Sequence, residues 1–154
     1  MKAEKEAQRV EALLNRAALR RTPVRAGVLE ILGRAPRPLG AVDILGKLPP
    51  RTDAVTVYRT LNTLTKKRIL HRVRGEDRVW RYALDDPQTP APHQHPHFVC
   101  ERCGKVECLS TASVPATLIG TLGVPQSPLS GGGGGGYRVS YAEVVLHGLC
   151  PKCQ

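Results

Sequence analysis

Two Cys-x-x-Cys pairs constrain the fold of this chain more than any other feature of its sequence. Cys100 and Cys103 form the first pair, and Cys150 and Cys153 form the second pair after 46 intervening residues. A Cys-x-x-Cys turn directs two thiolates at one ion, and two such turns supply the four sulfurs of a closed tetrahedral zinc site. The spacing therefore predicts a structural Zn²⁺ that joins the end of the chain to the start of a small domain.

Two other interpretations of these four cysteines stay open at this point. They could form two disulfides, or one pair could act as a redox centre of the thioredoxin type. Nothing in the sequence resembles an oxidised secreted scaffold or a thioredoxin unit, which favours zinc. A fifth cysteine, Cys108, lies outside both pairs and makes the count odd.

Positive charge is confined to the first half of the chain. The 154 residues carry a formal net charge of +10, with +11 in residues 1–82 and −1 in residues 83–154. This division indicates a module that binds a polyanion, followed by a part with another task. Only six residues are aromatic, which disfavours base-stacking platforms for RNA. Double-stranded DNA is therefore the expected partner.

Membrane and secretion signals are not evident in the sequence. It has no run of about 18 apolar residues that would span a bilayer, and its first residues lack the apolar core of a secretory signal. We therefore expect a cytoplasmic protein with no membrane partner. In a reducing compartment, cysteines are read as metal ligands before they are read as disulfides.

The overall prediction is an α+β fold, and its first half consists of four helices and a hairpin. Thr22 and Pro23 start the second helix as its N-cap and first residue, and Asp53 caps the fourth helix. The predicted helices are 4–18, 23–33, 41–48 and 54–67, and the predicted hairpin strands are 69–74 and 78–84. This order is typical of a winged helix-turn-helix DNA-binding domain, which we assign to residues 1–84.

The fourth helix has one apolar face and one polar face. Val57, Leu61 and Leu64 recur at helical spacing and are expected in the core. In a winged helix-turn-helix domain this helix enters the major groove and the hairpin lies against the DNA backbone. The predicted DNA-binding residues are Tyr58, Arg59, Thr56, Asn62 and, before the second helix, Arg21. The alternative is a charged, solvated surface on an ordinary helical domain.

The second half predicts a small α/β domain that follows a linker. Residues 85–97 contain four prolines and no apolar periodicity, which is typical of an extended linker. The domain itself spans 98–154, with strand-like runs at 98–100, 106–109 and 137–149 and a weak helix at 114–122. A glycine-rich insertion at 123–136 ends in six consecutive glycines, which do not hold regular structure.

Histidines cluster at the end of the linker. His95 and His97, with His93 as a further candidate, alternate along an extended segment and so share one face. Together with Cys108 they would satisfy the preference of Zn²⁺ for nitrogen and sulfur ligands. The alternative is a solvated histidine-rich linker beside a buried cysteine that binds no metal.

Two further histidines lie on predicted strands. His71 is in phase with Ile69 and Val73, so we expect it to face inward at the junction of the two halves. An inward histidine is more often a satisfied core residue than a metal ligand, and both interpretations stay open here. His147, at the end of the last strand, is a weaker candidate.

Four segments resemble, in order, the marker segments of the ferric uptake regulator (Fur) family of metal-sensing bacterial repressors. They are LRRTPVRAGVLEIL, AVTVYRTLNTL, HPHFVCERCGKVECL and YRVSYAEVVLHGLCPKC. The resemblance covers the chain from Leu19 to Cys153, apart from the glycine-rich insertion. It implies a winged-helix domain hinged to an α/β dimerisation domain. It also implies a homodimer that binds palindromic operator DNA when its sensing metal is loaded.

The resemblance also implies roles by position. The four paired cysteines match the structural zinc ligands of the family, and Tyr58 and Arg59 match residues that face DNA. His95 and His97 match two histidines of the sensing site. His71 falls where zinc-sensing members place an Asp or His ligand. Cys108, finally, falls where many members place a carboxylate ligand, and one ion shared by this set would fix the hinge.

The ligand types favour zinc as the sensed metal. Three histidines and a cysteine without a carboxylate suit Zn²⁺ better than iron or manganese, and HGLC at 147–150 is similar to the zinc uptake regulator (Zur) branch. We therefore expect a zinc-sensing transcriptional repressor of metal-uptake genes. Fe²⁺ or another divalent metal at the sensing site is one alternative, and a constitutive DNA-binding protein with only structural zinc is another. An enzyme is not expected, since residues 87–100 contain no Asp or Glu as a general base and no HExxH motif occurs.

Overall fold

The structure is a computed structural model that describes residues 2–85, 96–109 and 143–154. Its elements, in chain order, are α1 (Lys2–Arg16), α2 (Pro23–Arg34), β1 (Leu39–Gly40), α3 (Ala41–Lys47), α4 (Ala54–Lys66), β2 (Leu70–Arg74), β3 (Trp80–Leu84), β4 (His97–Cys100), β5 (Val106–Cys108) and β6 (Val145–Gly148). The described part thus contains four helices and a hairpin, followed by a small second sheet.

Local sequence signals fix the starts of α2 and α4. The Thr22 hydroxyl accepts the backbone N–H of Arg25 at 3.3 Å, and a proline follows in the first turn of α2. The Asp53 carboxylate accepts the backbone N–H of Thr56 at 2.8 Å at the start of α4. Each bond satisfies one of the N–H groups that a helix start leaves without an intrahelical partner. Both predicted caps are confirmed.

The helices pack around one apolar core. Its fully buried members on α4 are Val57, Leu61 and Leu64, as the helical spacing predicted. The other buried residues of this cluster are Val10, Leu13, Leu14, Ala26, Val28, Leu29, Leu32, Ala41, Ile44, Leu48, Ile69, Leu70 and Tyr82. The hairpin therefore closes the helical core with one of its faces.

The short strand β1 was not predicted from the sequence. Leu39 pairs with Tyr82 and Gly40 with Arg81, which makes a three-stranded sheet in the order β1-β3-β2. Two residues are too short to show a periodicity of their own, and the pairing depends on a strand 40 positions later. β1 places α3 directly against the hairpin sheet.

The hairpin differs from the prediction at its turn. β3 begins at Trp80, whereas the sequence predicted a strand from Arg78. Arg78 adopts φ 60°, a left-handed conformation that does not continue a strand. The turn closes instead through the N–H of Gly75, which donates to the carbonyl of Val79 at 3.1 Å. A similar left-handed residue, Ala18 at φ 54°, follows α1, which ends two residues earlier than predicted.

Strand β2 presents different residues to its two sides. His71 and Val73 are buried, whereas Arg72 and Arg74, at the alternate positions, are exposed. Val73 belongs to a second apolar cluster with Val99 of β4 and Val106 of β5. The hairpin is therefore packed against the second sheet as well as against the helical core.

The second sheet has the order β5-β4-β6. β4 pairs with β5 in the antiparallel sense, with His97 opposite Cys108, and with β6 in the parallel sense, with Cys100 opposite Gly148. The predicted linker 85–97 begins and ends in buried residues, Asp85 and His97. The first pairing sets His97 beside Cys108, and the second brings the segment that carries Cys150 beside Cys100.

Several predicted features lie outside the described residues. They are the helix at 114–122, the glycine-rich insertion at 123–136, the first part of the last strand at 137–142, and the side chains of His93 and His95. Within the described ranges, no helix has the length and apolar character needed to cross a membrane.

The contrast between adjacent positions of α4 gives a first prediction. Leu61→Ala should lower the free energy of unfolding by about 2–5 kcal/mol, because it removes a fully buried side chain from the core. Asn62→Ala, at the next, exposed position, should change it by no more than about 0.5 kcal/mol. Urea denaturation followed by circular dichroism measures both variants, and equal losses of stability would contradict the placement of this helix.

Candidate metal centres

The four paired cysteines converge on one point. Cys103 and Cys150 have their sulfurs 3.8 Å apart, and the sulfurs of the whole group lie within 4.8 Å of one another. Four sulfurs about 2.3 Å from a central Zn²⁺ would be about 3.8 Å apart along a tetrahedral edge. Gly104, at φ 67°, follows the first pair and supplies the left-handed conformation of that tight turn. The donor set and its spacing fit zinc.

Hydrogen bonds in this cluster favour a negative charge on one sulfur. Backbone N–H groups of Cys103, Cys150 and Arg102 lower the pKa of Cys100 to about 6. Hydrogen bonds with Cys150, Cys103 and Cys100, together with desolvation, raise the pKa of Cys153 to about 12. Adjacent thiolates repel one another, so a dication between them would allow all four sulfurs to ionise.

A second group combines donors from both halves of the chain. His71 of β2 comes from the hairpin, and His97 of β4 and Cys108 of β5 come from the second sheet. Their candidate donor atoms all lie within 4.8 Å of one another. The Nε2 atom of His71 is 3.4 Å from the Cys108 sulfur, and the two imidazole centroids are 5.2 Å apart.

This second group also fits zinc by its chemistry. A nitrogen and a sulfur bound to one tetrahedral Zn²⁺ would be separated by about 3.6 Å, given bond lengths of about 2.0–2.3 Å. Both imidazoles are deeply buried, with His71 3% exposed and His97 2% exposed. Two nitrogens and one soft sulfur form a donor set that Zn²⁺ prefers, whereas magnesium, calcium and manganese prefer oxygen ligands.

The charge state of Cys108 differs from that of Cys100. Burial, with a smaller contribution from the negative charge of Asp85, raises the pKa of the Cys108 thiol to about 11. Without a metal this sulfur therefore keeps its proton at neutral pH. A cation bound beside it would supply the opposite charge that its thiolate lacks.

Asp85 is a buried carboxylate of this site that the sequence interpretation missed. Its Oδ1 atom lies 3.0 Å from Nδ1 of His71, and its backbone N–H donates to the carbonyl of Ile69. An acceptor on Nδ1 places the ring proton there and leaves Nε2, the nitrogen facing Cys108, unprotonated and able to bind a metal. The signal that could have found Asp85 is the hairpin register, which sets it beside Ile69.

Glu143 lies behind the other histidine. Its carboxylate is 3.7 Å from Nδ1 of His97. Burial raises the pKa of Glu143, and electrostatic interactions with the nearby His71 and Arg72 lower it in part. Each described histidine of the group is thus approached by a carboxylate on its Nδ1 side.

The remaining site candidates lie elsewhere. Tyr58, Arg59 and Asn62 are exposed on α4. The Thr56 hydroxyl donates to Asp53 at 2.8 Å, so it takes part in the helix cap. Arg21 is exposed before α2, 3.6 Å from the Glu11 carboxylate.

His147 is half-exposed and contacts Glu76 at the hairpin turn at 2.5 Å, away from the metal group. His93 and His95 lie outside the described residues.

Comparison with known proteins identifies the family. The model of the ferric uptake regulator family matches residues 16–118, well over half of the chain. The ferric uptake regulation protein of Bacillus subtilis (strain 168) is 42% identical over 52 residues, which is 34% of this chain and 34% of the relative. That of Synechococcus elongatus is 27% identical over 99 residues, which is 64% of this chain and 58% of the relative.

The matches span less than two thirds of the length of either relative. The fold is similar along nearly the whole chain to a solved zinc uptake regulator in complex with zinc and DNA. That similarity has a TM-score of 0.68 and 24% sequence identity, and it covers 99% of this chain and 95% of the other. Because the family model matches most of the chain, this protein belongs to the ferric uptake regulator family.

Proposed function

We propose that this protein is a cytoplasmic transcriptional repressor that binds operator DNA as a homodimer when it carries zinc. Members of the family are transcription regulators and not enzymes. The observation that carries the proposal is the second metal group, because His71 belongs to the hairpin whereas His97 and Cys108 belong to the second sheet. One ion bound by all three would fix the position of the DNA-binding half.

Zinc is the proposed metal at both sites. The relatives are named for iron uptake and the structural neighbour for zinc uptake, so the choice rests on the donor atoms of this chain. The described ligands of the second group are two imidazoles and one thiol, which suit Zn²⁺ better than Fe²⁺. We assign His95 to the same site and keep His93 as a further candidate. The four-cysteine site holds a structural Zn²⁺, since it has no open position.

The proposed mechanism is a shift between two arrangements of the halves. Zinc binds more tightly to the closed arrangement, in which His71 reaches the other ligands, than to an open one. The effect on DNA binding equals that difference in affinity. In the closed dimer the two α4 helices enter successive major grooves about one turn apart, with Tyr58, Arg59 and Asn62 facing the DNA. We also keep Thr56 and Arg21 as predicted DNA contacts.

Zinc-dependent DNA binding tests the proposal directly. A duplex that binds the zinc-loaded protein would be selected from a random pool, labelled and followed by fluorescence anisotropy during titration with Zn²⁺, Fe²⁺ or Mn²⁺. We expect zinc to raise the affinity about 5- to 150-fold and His71→Ala to abolish the increase. His147→Ala is the matched control, because its half-exposed contact with Glu76 should contribute little. A zinc response in His71→Ala equal to that of the unmodified protein would contradict the proposal.

Metal content separates the two sites. The purified protein should hold two Zn²⁺ per chain by elemental analysis. Cys108→Ser should hold one and stay folded, because the structural site is intact. Cys100→Ser should fold poorly, because it opens the structural site. One metal per chain, with DNA binding that does not respond to chelators, would instead favour a constitutive DNA-binding protein.

Asp85 provides a sharper test of the second site. Asp85→Ala should weaken zinc binding there about 10- to 100-fold, because His71 loses the acceptor that orients its ring. Asp85→Asn keeps an oxygen acceptor, so its zinc affinity should fall by a smaller factor. Competition with a chromophoric chelator measures both, and occupancy of the four-cysteine site serves as the internal control. Equal affinity in Asp85→Ala and the unmodified protein would contradict this role.

A further inference from the structure

The exposed side of β2 carries two arginines that flank the only tryptophan of the chain. The Cζ atom of Arg72 lies 4.2 Å from the centroid of the Trp80 ring, and that of Arg74 lies 5.7 Å from it. Arg74 and Trp80 are direct partners in the hairpin register. Guanidinium groups at these distances are attracted to the negative face of the indole. Trp80 is 36% exposed, so the three side chains form a surface unit.

The charge of Arg72 acts on Glu143, whose pKa it lowers, but the described carboxylates form no close ion pair with either arginine of this unit. By contrast, Arg81 binds Asp77 at 2.7 Å, and Arg34 binds Glu6 at 2.6 Å. No such ion pair joins Arg72 or Arg74 to a carboxylate among residues 2–85, 96–109 and 143–154. An arginine stacked on an aromatic ring keeps its edge N–H groups available for an anion.

The two arginines of this unit lie on a strand, β2, that packs against α4. Arg72 stands opposite Tyr82 on the neighbouring strand. Burial raises the pKa of Tyr82, the guanidinium of Arg72 lowers it, and Tyr58 of α4 raises it, in agreement with the contact between α4 and β2. Tyr58 is itself half-exposed. A duplex that contacts Tyr58 in its major groove would therefore run beside the hairpin.

We propose that Trp80 holds Arg72 and Arg74 as a pair that binds phosphates of the DNA backbone. This inference rests on the proposed function, and it names the side chains through which the hairpin would make the backbone contact expected of a winged helix-turn-helix domain, with Trp80 as the residue that positions them. The aromatic ring restricts the rotation of two flexible side chains before DNA arrives, so less conformational entropy is lost when they bind. Phosphate is the ligand because a guanidinium binds it through two parallel N–H groups, and backbone contacts of this kind carry no sequence preference.

The position of the pair also connects it to the metal group. His71 and Val73 face the second sheet from the same strand that presents Arg72 and Arg74 on its other side. A metal held by His71 fixes this strand, and the fixed strand holds the two arginines in place. Trp80 is thus a positioning residue on a strand shared by the metal group and the DNA surface.

The test compares DNA affinity at several salt concentrations. The full-length, zinc-loaded protein and its variants are titrated against a duplex selected with the unmodified protein. Arg72→Ala and Arg74→Ala should each reduce the slope of log affinity against log salt by about one per subunit. Trp80→Ala should reduce the slope as well, although it removes no charge, and Trp80→Phe should restore most of it because the ring face is kept. Lys152→Ala removes one exposed charge from the second half and should leave the slope unchanged.

Two further measurements separate positioning from loss of fold. Zinc affinity of the His71 group and the thermal unfolding midpoint should be unchanged in Trp80→Phe, Arg72→Ala and Arg74→Ala. Because Trp80 is the only tryptophan, its emission reports on the hairpin, and it should change when the duplex binds.

The outcomes distinguish this inference from the proposed function. If no duplex can be selected with the unmodified, zinc-loaded protein, the proposed function fails. If that protein binds DNA and the salt slopes of Arg72→Ala and Arg74→Ala equal its own, the phosphate contact is refuted. If those two slopes fall but Trp80→Ala matches the unmodified protein, the positioning role of Trp80 is refuted.

Discussion

The convergence of His71 with His97 and Cys108 is the interaction on which the rest of this structure depends. His97 and Cys108 are opposite each other in one antiparallel pair, so the second sheet alone brings them together. His71 joins them only when the hairpin lies against that sheet. Because one ion needs all its ligands at once, the metal affinity of the site contains the free energy of docking the two halves.

Apolar contacts already supply part of that docking energy. Val73 of the hairpin is fully buried with Val99 and Val106 of the second sheet, and burial of a valine stabilises by about 1.5–3 kcal/mol. The contact between Glu76 and His147 joins the same surfaces but is half-exposed and contributes little. In the proposed mechanism, a metal would shift a balance that this packing already favours, which requires less differential affinity than closing an undocked hinge.

Local signals in the sequence predicted the features that depend on neighbouring residues. The caps at Thr22 and Asp53 and the buried face of α4 follow from short-range hydrogen bonding and helical spacing. The four-cysteine group follows from two tight turns. The strand β1 was missed because it forms only by pairing with β3. The role of Asp85 was missed because it depends on His71 and Ile69 on the other side of the hairpin. Read along the chain, the segment DDPQTP that begins at Asp85 resembles a polar linker. His71 was predicted to face inward, but periodicity gives no information on what it would face.

The two cysteine-containing groups differ in a way that suits two tasks. Backbone N–H groups stabilise a thiolate at Cys100, so the four-cysteine group has one charged ligand before any metal arrives. Burial keeps Cys108 protonated, so its group must lose a proton to bind a metal. Zinc binding at the four-cysteine group releases protons too, because Cys153 also keeps its proton without a metal, but four thiolates then neutralise the dication more fully than two neutral imidazoles and one thiolate do. A site that holds its ion less tightly can exchange it as the metal concentration changes, while the tighter site keeps the second sheet and the C-terminal turn folded together.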